Sequence, residues 1–286
     1  MHAWRIPFLL FSLAALPLAL ARAQVPVAAA APAPIEPAWV DLADLAFASE
    51  LVLVARVASI DRFSRRDAPD VPPGEVRAVL RADLSAALKA PGVLPAEVAW
   101  RWQGPADSRG RPPFAEAAQV LLFGAPLAGG SNPAVYPLQL VSRHGQQPWS
   151  AASEAVVRDV LRQAQAPGAR GLMVTGLRDA FRSEGDVPGA SESQFFLRTE
   201  GGQPLTLVVR RTPGAVPDVR AASGELLDQA APVAPRTLMW RALACGLPPR
   251  LPAALAEDAG LAEDYVLAIA RLGRCDRRLQ PPSPAR

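Results

Sequence analysis

The sequence predicts an α+β protein. A small barrel of five strands is followed by a helix, then by an antiparallel β-meander with a C-terminal helical segment. Three observations carry this. Five strand-like stretches lie between residues 51 and 141, separated by Pro72-Pro73-Gly74, Pro91-Gly92, Pro105, Pro112-Pro113 and Gly129-Gly130, as short strands closing into a barrel would be. More strand stretches follow residue 170 with connections too short for helical crossovers. Residues 236–273 then switch to helical spacing.

Residues 1–23 read as a secretory signal peptide: Arg5, an uncharged and mostly apolar run from Ile6 to Leu20, then Ala21-Arg22-Ala23 as a small-x-small cleavage site. The run is shorter than the ~20 residues of a spanning helix, so no membrane span is expected after cleavage. Residues 24–38, "QVPVAAAAPAPIEPA", form a Pro/Ala linker without periodicity. Order is expected from Trp39.

Residues 39–168 are read as the barrel plus its helix. "DLADLAFASE" (41–50) has helical spacing. "LVLVARV" (51–57) is continuously apolar, as in a strand buried on both faces. "EVRAVLRADL" (75–84) alternates, with Val76, Ala78, Leu80, Ala82 and Leu84 on one face. "EVAWRWQ" (97–103), "QVLLFGAPL" (119–127) and "VYPLQLV" (135–141) complete the five. Ser150 is placed to cap a helix whose stripe is Val156, Val157, Val160, Leu161 and Ala164, and Pro167-Gly168 ends it.

Residues 169–286 are read as the meander and C-terminal helices. The strands are "LMVTGL" (172–177), "SQFFLRT" (193–199), "LTLVVRR" (205–211) and a short one at 219–223, with turns at 200–203 and Pro213-Gly214. Helices are expected over 236–246 with Gly246 as C-cap, over 252–260, and over 261–273 with Leu261, Tyr265, Ala268, Ile269 and Leu272 on one face. Cys245 and Cys275 are an even pair in an exported chain, which favours a disulfide. Two antiparallel helices would not bring them together, so the bond requires a crossed packing or a tail that doubles back after Gly273. The tail beyond Cys275 is expected to fray.

The order helix, "LVLVARVASI", alternating strand, "LKAPG" and "FAEAAQVLLFGAPL" resembles the OB-like barrels of tissue-inhibitor/netrin-type modules in exported bacterial proteins, over residues 41–149. Ala55 stands where those modules carry glycine, and Glu116-Ala117-Ala118 replaces their Pro-Gly-Glu. The inhibitors use an amino-terminal cysteine against a metal. This stretch has no cysteine, so inhibition is not implied. Residues 170–286 resemble no family.

The chain has 30 basic and 27 acidic residues and a formal charge of +3. Losing Arg5 and Arg22 lowers that charge by two, leaving no general electrostatic pull toward nucleic acid. His144, in "RHGQQPW", is the one histidine beyond residues 1–23. Neither a GxSxG elbow nor a GxxxxGK[ST] loop is present. His144 is therefore read as a loop residue, and Trp100 and Trp102 as core. Arg101, on the opposite face of their strand, and His144 remain surface candidates. The acidic groups Asp41/Asp44 and Glu257/Asp258/Glu263/Asp264 lack the EF-hand pattern and are read as solvated helix faces. The function expected is a non-catalytic periplasmic or secreted protein that binds another envelope protein, with no cofactor, no metal and no nucleic acid. The alternative is an envelope hydrolase with a site that no motif marks.

Overall fold

The computed structural model describes residues 35–128, 132, 134–223 and 230–282. The signal-peptide reading and all but the end of the linker lie outside these residues. Helix α1 (Trp39–Ala48) leads into β1 (Leu51–Arg62), β2 (Glu75–Lys89), β3 (Glu97–Pro105), β4 (Gln119–Pro126) and β5 (Val135–Leu140). The strands pair in the order β1-β2-β3-β5-β4, and β4 closes back onto β1. The β3–β5 pair is parallel and the others are antiparallel. This is an OB-like closed barrel in its strand order. A short β6 (Gln146–Pro148), too brief for a sequence signal, pairs with β4.

The apolar run of β1 has a specific cause. Leu51, Leu53, Ala55 and Val57 fill the barrel with Leu80, Trp100, Trp102 and Leu122. Val52 and Val54 point outward and join Leu121 and Phe123 in a second core. That second core continues through α1, α2 (Ala151–Gln163) and the inner face of the other sheet. Ser150 caps α2 by accepting from Ser153 N–H at 3.0 Å.

The second sheet is an antiparallel meander of β7 (Val174–Glu184), β8 (Ser191–Thr199), β9 (Leu205–Arg211), β10 (Asp218–Ser223) and a two-residue β11 (Ala231–Pro232). Helices α3 (Leu238–Gly246) and α4 (Ala259–Leu272) cover its inner face through Trp240, Leu243, Leu261, Tyr265 and Ala268. Fully burying a side chain of this size contributes about 1.5–3 kcal/mol.

Three expectations are corrected here. The 252–260 helix is only a 3-10 turn, Ala253–Leu255, because Asp258 starts α4 by accepting from Leu261 N–H at 3.1 Å. Gly246 is the last residue of α3 and not a left-handed cap. Its role is close approach, since a Cβ there would lie 2.3 Å from the Val174 carbonyl oxygen. The tail does not fray over residues 276–282. Leu279 is buried, and the main chain of Arg278 and Leu279 donates to Asp41.

Cys245 and Cys275 stand at disulfide-bonding distance with their Cα atoms 4.9 Å apart. The tail does double back. Trp240, near the start of α3, donates its indole N–H to the Leu272 carbonyl at the end of α4. Gly273 then turns the chain at φ +76°, a conformation glycine tolerates, and Cys275 returns to the far end of α3.

Candidate functional site

Two loops meet at one end of the barrel, one joining β1 to β2 and the other joining β3 to β4. The first is held from inside by Ala68 and Val71, both buried. Ser64 Oγ donates to Asp67 at 2.6 Å, and the Arg65 guanidinium donates to the Val71 carbonyl at 2.8 Å. The second wraps around Asp107, whose carboxylate accepts the N–H groups of Arg109 and Arg111 at 2.9 and 2.8 Å. Those main-chain donors, the Arg111 one first, hold the Asp107 carboxyl below its usual range. Ala106 N–H donates to the Gly74 carbonyl at 2.9 Å, and Arg62 reaches the Gly110 carbonyl at 3.3 Å, so the loops are tied together.

Two clefts open at this mouth. One of about 540 Å³ is lined by Arg62, Phe63, Arg65, Val71 and Arg77. The other, about 690 Å³, is lined by Ile60, Arg62, Arg111, Phe114 and Glu116. Arg62 borders both. Phe63 keeps 39 % of its surface exposed. Phe114 packs edge-on against Trp102 at 5.1 Å and floors the second cleft from the barrel core. The mouth thus combines an accessible phenyl ring with guanidinium groups whose orientation is fixed by carbonyls. Each guanidinium has five N–H donors; the carbonyl anchors take one from Arg62 and one from Arg65, whereas Arg77 spends most of its donors on Asp70 and Gln103.

Arg101 and His144 are not brought together. Arg101 is exposed on the outer face of β3, opposite Val79 of β2. Beside it runs a ladder in which Arg77 holds Asp70 through a bidentate pair at 3.0 and 2.7 Å and also binds Gln103. The Arg77 bond holds the Asp70 carboxyl below its usual range. Gln103 in turn donates to Glu75 at 2.9 Å, and Glu75 accepts from Arg143 at 3.3 Å. His144 lies half-buried in the turn between β5 and β6. It is tied by its main chain, N–H to Ser142 Oγ at 3.1 Å and carbonyl from Gln147 at 2.7 Å. The next residue, Gly145, sits against Phe123, where a Cβ would lie 2.8 Å from the carbonyl oxygen. Burial, and then the neighbouring Arg143, push the imidazole pKa below its ordinary value.

The acidic groups were misplaced by sequence reasoning. Asp41, Asp44 and Asp264 are buried, not solvated. Asp44 accepts from Arg241 and Arg277. Asp264 is 0 % exposed and accepts from Arg182, Ser193 and Arg211, each at 2.5 Å. All three carboxylates are consumed by internal donors and serve as ties between elements. Glu257, Asp258 and Glu263 are exposed, and no group of metal-ligating residues forms among the described residues. The mouth itself escaped notice because Phe63 and Arg62 belong to no periodic pattern and their loop partners come from residues 106–116.

No family model matches the chain, and no curated protein matches it either. The likeness to OB-like barrels is one of architecture. Among the described residues no helix is long and apolar enough to cross a membrane.

Proposed function

We propose that this chain is an exported, non-catalytic binding module whose barrel mouth takes an acidic segment of another envelope protein. One observation carries the reading: exposed Phe63 is set beside Arg62 and Arg65, whose guanidiniums are each anchored by one carbonyl, over a cleft that adjoins a second one. Aromatic and arginine side chains are the residues that most often anchor protein interfaces. Oriented guanidiniums with spare donors select carboxylates through paired hydrogen bonds. Export is supported by the leader-like residues 1–23 and by the Cys245–Cys275 pair.

The test is site-specific photo-crosslinking in the cell envelope, with the crosslinker at position 63 and at the fully exposed position 93 as control. A discrete adduct at 63 that is absent at 93, and lost when Arg62 and Arg65 are both changed to Glu, supports the reading. Equal labelling at both positions, or indifference to the charge reversal, overturns it. Turnover in a broad hydrolase screen that disappears with His144→Ala would favour the enzymatic alternative. Binding to single-stranded nucleic acid with steep salt dependence would favour a third reading.

A further inference from the structure

Ile60 and Arg62 are alternate residues of β1 and share one face, paired with Leu80 and Ala78 of the barrel core. The rise of the strand sets them about 7 Å apart. Ile60 and Phe114 are partly buried against that core, and both line the second cleft. Arg62 stands one step nearer the rim and borders both clefts. The two clefts differ in the charges they have left. In the first, Glu75 is engaged by Gln103 and Arg143. Arg62 and Arg65 form no salt bridge among the described residues and give one donor each to a carbonyl. In the second, the Asp107 carboxylate is taken up by the main chain of its loop and by Arg111. Glu116, exposed at the rim of that cleft, forms no salt bridge among the described residues. One cleft therefore offers uncompensated positive charge, and the other an apolar floor guarded by a negative charge.

Resting on the acidic-segment reading of this mouth, we infer that its two clefts read two different residues of one extended peptide segment. A carboxylate binds at Arg62 and Arg65. A large apolar side chain two positions away lies over Ile60 and Phe114, and Glu116 rejects a second acid there. The spacing follows from β1 itself, because side chains two apart in an extended segment are separated by the same distance as Ile60 and Arg62. The carboxylate is selected by guanidiniums that still have donors to pair with both of its oxygens. The apolar residue is selected because it removes the remaining surface of Ile60 and Phe114 from water. Glu116 supplies the repulsive element, since a carboxylate brought beside it finds a like charge rather than a free cation. A plain run of acids satisfies only the first cleft. The segment recognised thus alternates an acid with a large apolar residue.

The experiment pans displayed random peptides on the full chain and then titrates the best of them as a synthetic peptide. The enriched sequences should carry Asp or Glu with a large apolar residue two positions away. Replacing that apolar residue by Glu should raise the dissociation constant by about tenfold or more. Glu116→Arg should remove most of this penalty while the need for the first acid persists. Glu116 is exposed, so circular dichroism should show an unchanged fold. Phe114→Ala should erase the preference for the apolar residue. Enrichment of acids whatever their neighbours, lost when Arg62 and Arg65 are both changed to Glu, overturns this inference and leaves the acidic-segment reading standing. Discrimination unchanged by Glu116→Arg also overturns it. A selection that enriches no acidic sequence overturns both.

Discussion

The Asp44 carboxylate of α1 accepts a hydrogen bond at 2.8 Å from Arg277, 233 residues away in sequence. Arg241 of α3 donates to the other oxygen of the same carboxylate at 2.8 and 2.5 Å. Three positions in the chain the periodicity could not connect are thereby held by one buried group. Beside it, Asp41 accepts the N–H groups of Ala38, Arg278 and Leu279. The segment after Cys275 is therefore a strap fixed across the start of α1.

Replacing Asp44 by Ala should be among the most costly changes in the molecule. Arg241 is largely buried, and removing its partner leaves a charge without compensation, which costs about 3–5 kcal/mol. Arg277→Ala should cost much less, about 1 kcal/mol, because Arg277 is more exposed and Arg241 still holds the carboxylate. Urea melts of the two variants measure the difference. Equal losses would mean that Asp44 is not the hub of the pair.

Reduction should loosen the strap before it unfolds the protein. The Cys245–Cys275 bond closes a separation of 30 residues, worth about 3–4 kcal/mol in the chain-entropy account. Trypsin should cut after Arg277 or Arg278 faster once reductant is present, and the melting midpoint should fall. Mass mapping without reductant should recover one peptide containing both cysteines. Free alkylation of both thiols would remove the crosslink.

His144 should make stability depend on pH in a defined direction. Its folded pKa lies below the ordinary 6.5, so between that lowered value and 6.5 the unfolded chain binds more protons than the folded one. Stability then rises with pH across this window and falls as acid is added. His144→Gln should flatten the slope measured by urea midpoints between about pH 5 and about pH 7.5. An unchanged slope would place its origin elsewhere.

Gly246→Ala should push α3 away from β7, since the added methyl would lie 2.3 Å from the Val174 carbonyl oxygen. A forced backbone shift of this kind costs about 1–3 kcal/mol. Gly92→Ala, where a methyl meets nothing within 4 Å, is the control and should be neutral. Thermal melts of both variants decide it.

The elements that were legible in the sequence are those whose cause is local. The run at 51–57 reads as a doubly buried strand because both faces of β1 find apolar partners. The alternation at 75–84 reads as barrel wall because Ala78, Leu80 and Ala82 all face inward. The Ser150 cap was visible because its acceptor role involves only a neighbour three residues on. What stayed hidden depends on distant partners. Asp41, Asp44 and Asp264 look like solvated acids until Arg241, Arg277, Arg182 and Arg211 arrive from elsewhere in the chain. The barrel mouth is equally nonlocal, built by two loops that share no pattern. The parallel β3–β5 pairing that closes the barrel leaves no mark in either strand.

The clasp between α1 and the strap also sets the order in which the molecule can be finished. Among the described elements α1 emerges first from a ribosome or a translocation channel, yet the donors that compensate Asp41 and Asp44 include Arg277, Arg278 and Leu279, which follow 233 to 238 residues later. Until those residues have emerged, the carboxylates must stay hydrated or be buried at a penalty, and the core beneath α1 cannot seal. Closing so long a loop is entropically slow. The core beneath α1 therefore seals only once residues 277–279 have been delivered, and a chain truncated before Arg277 would remain an unfinished intermediate open to proteolysis.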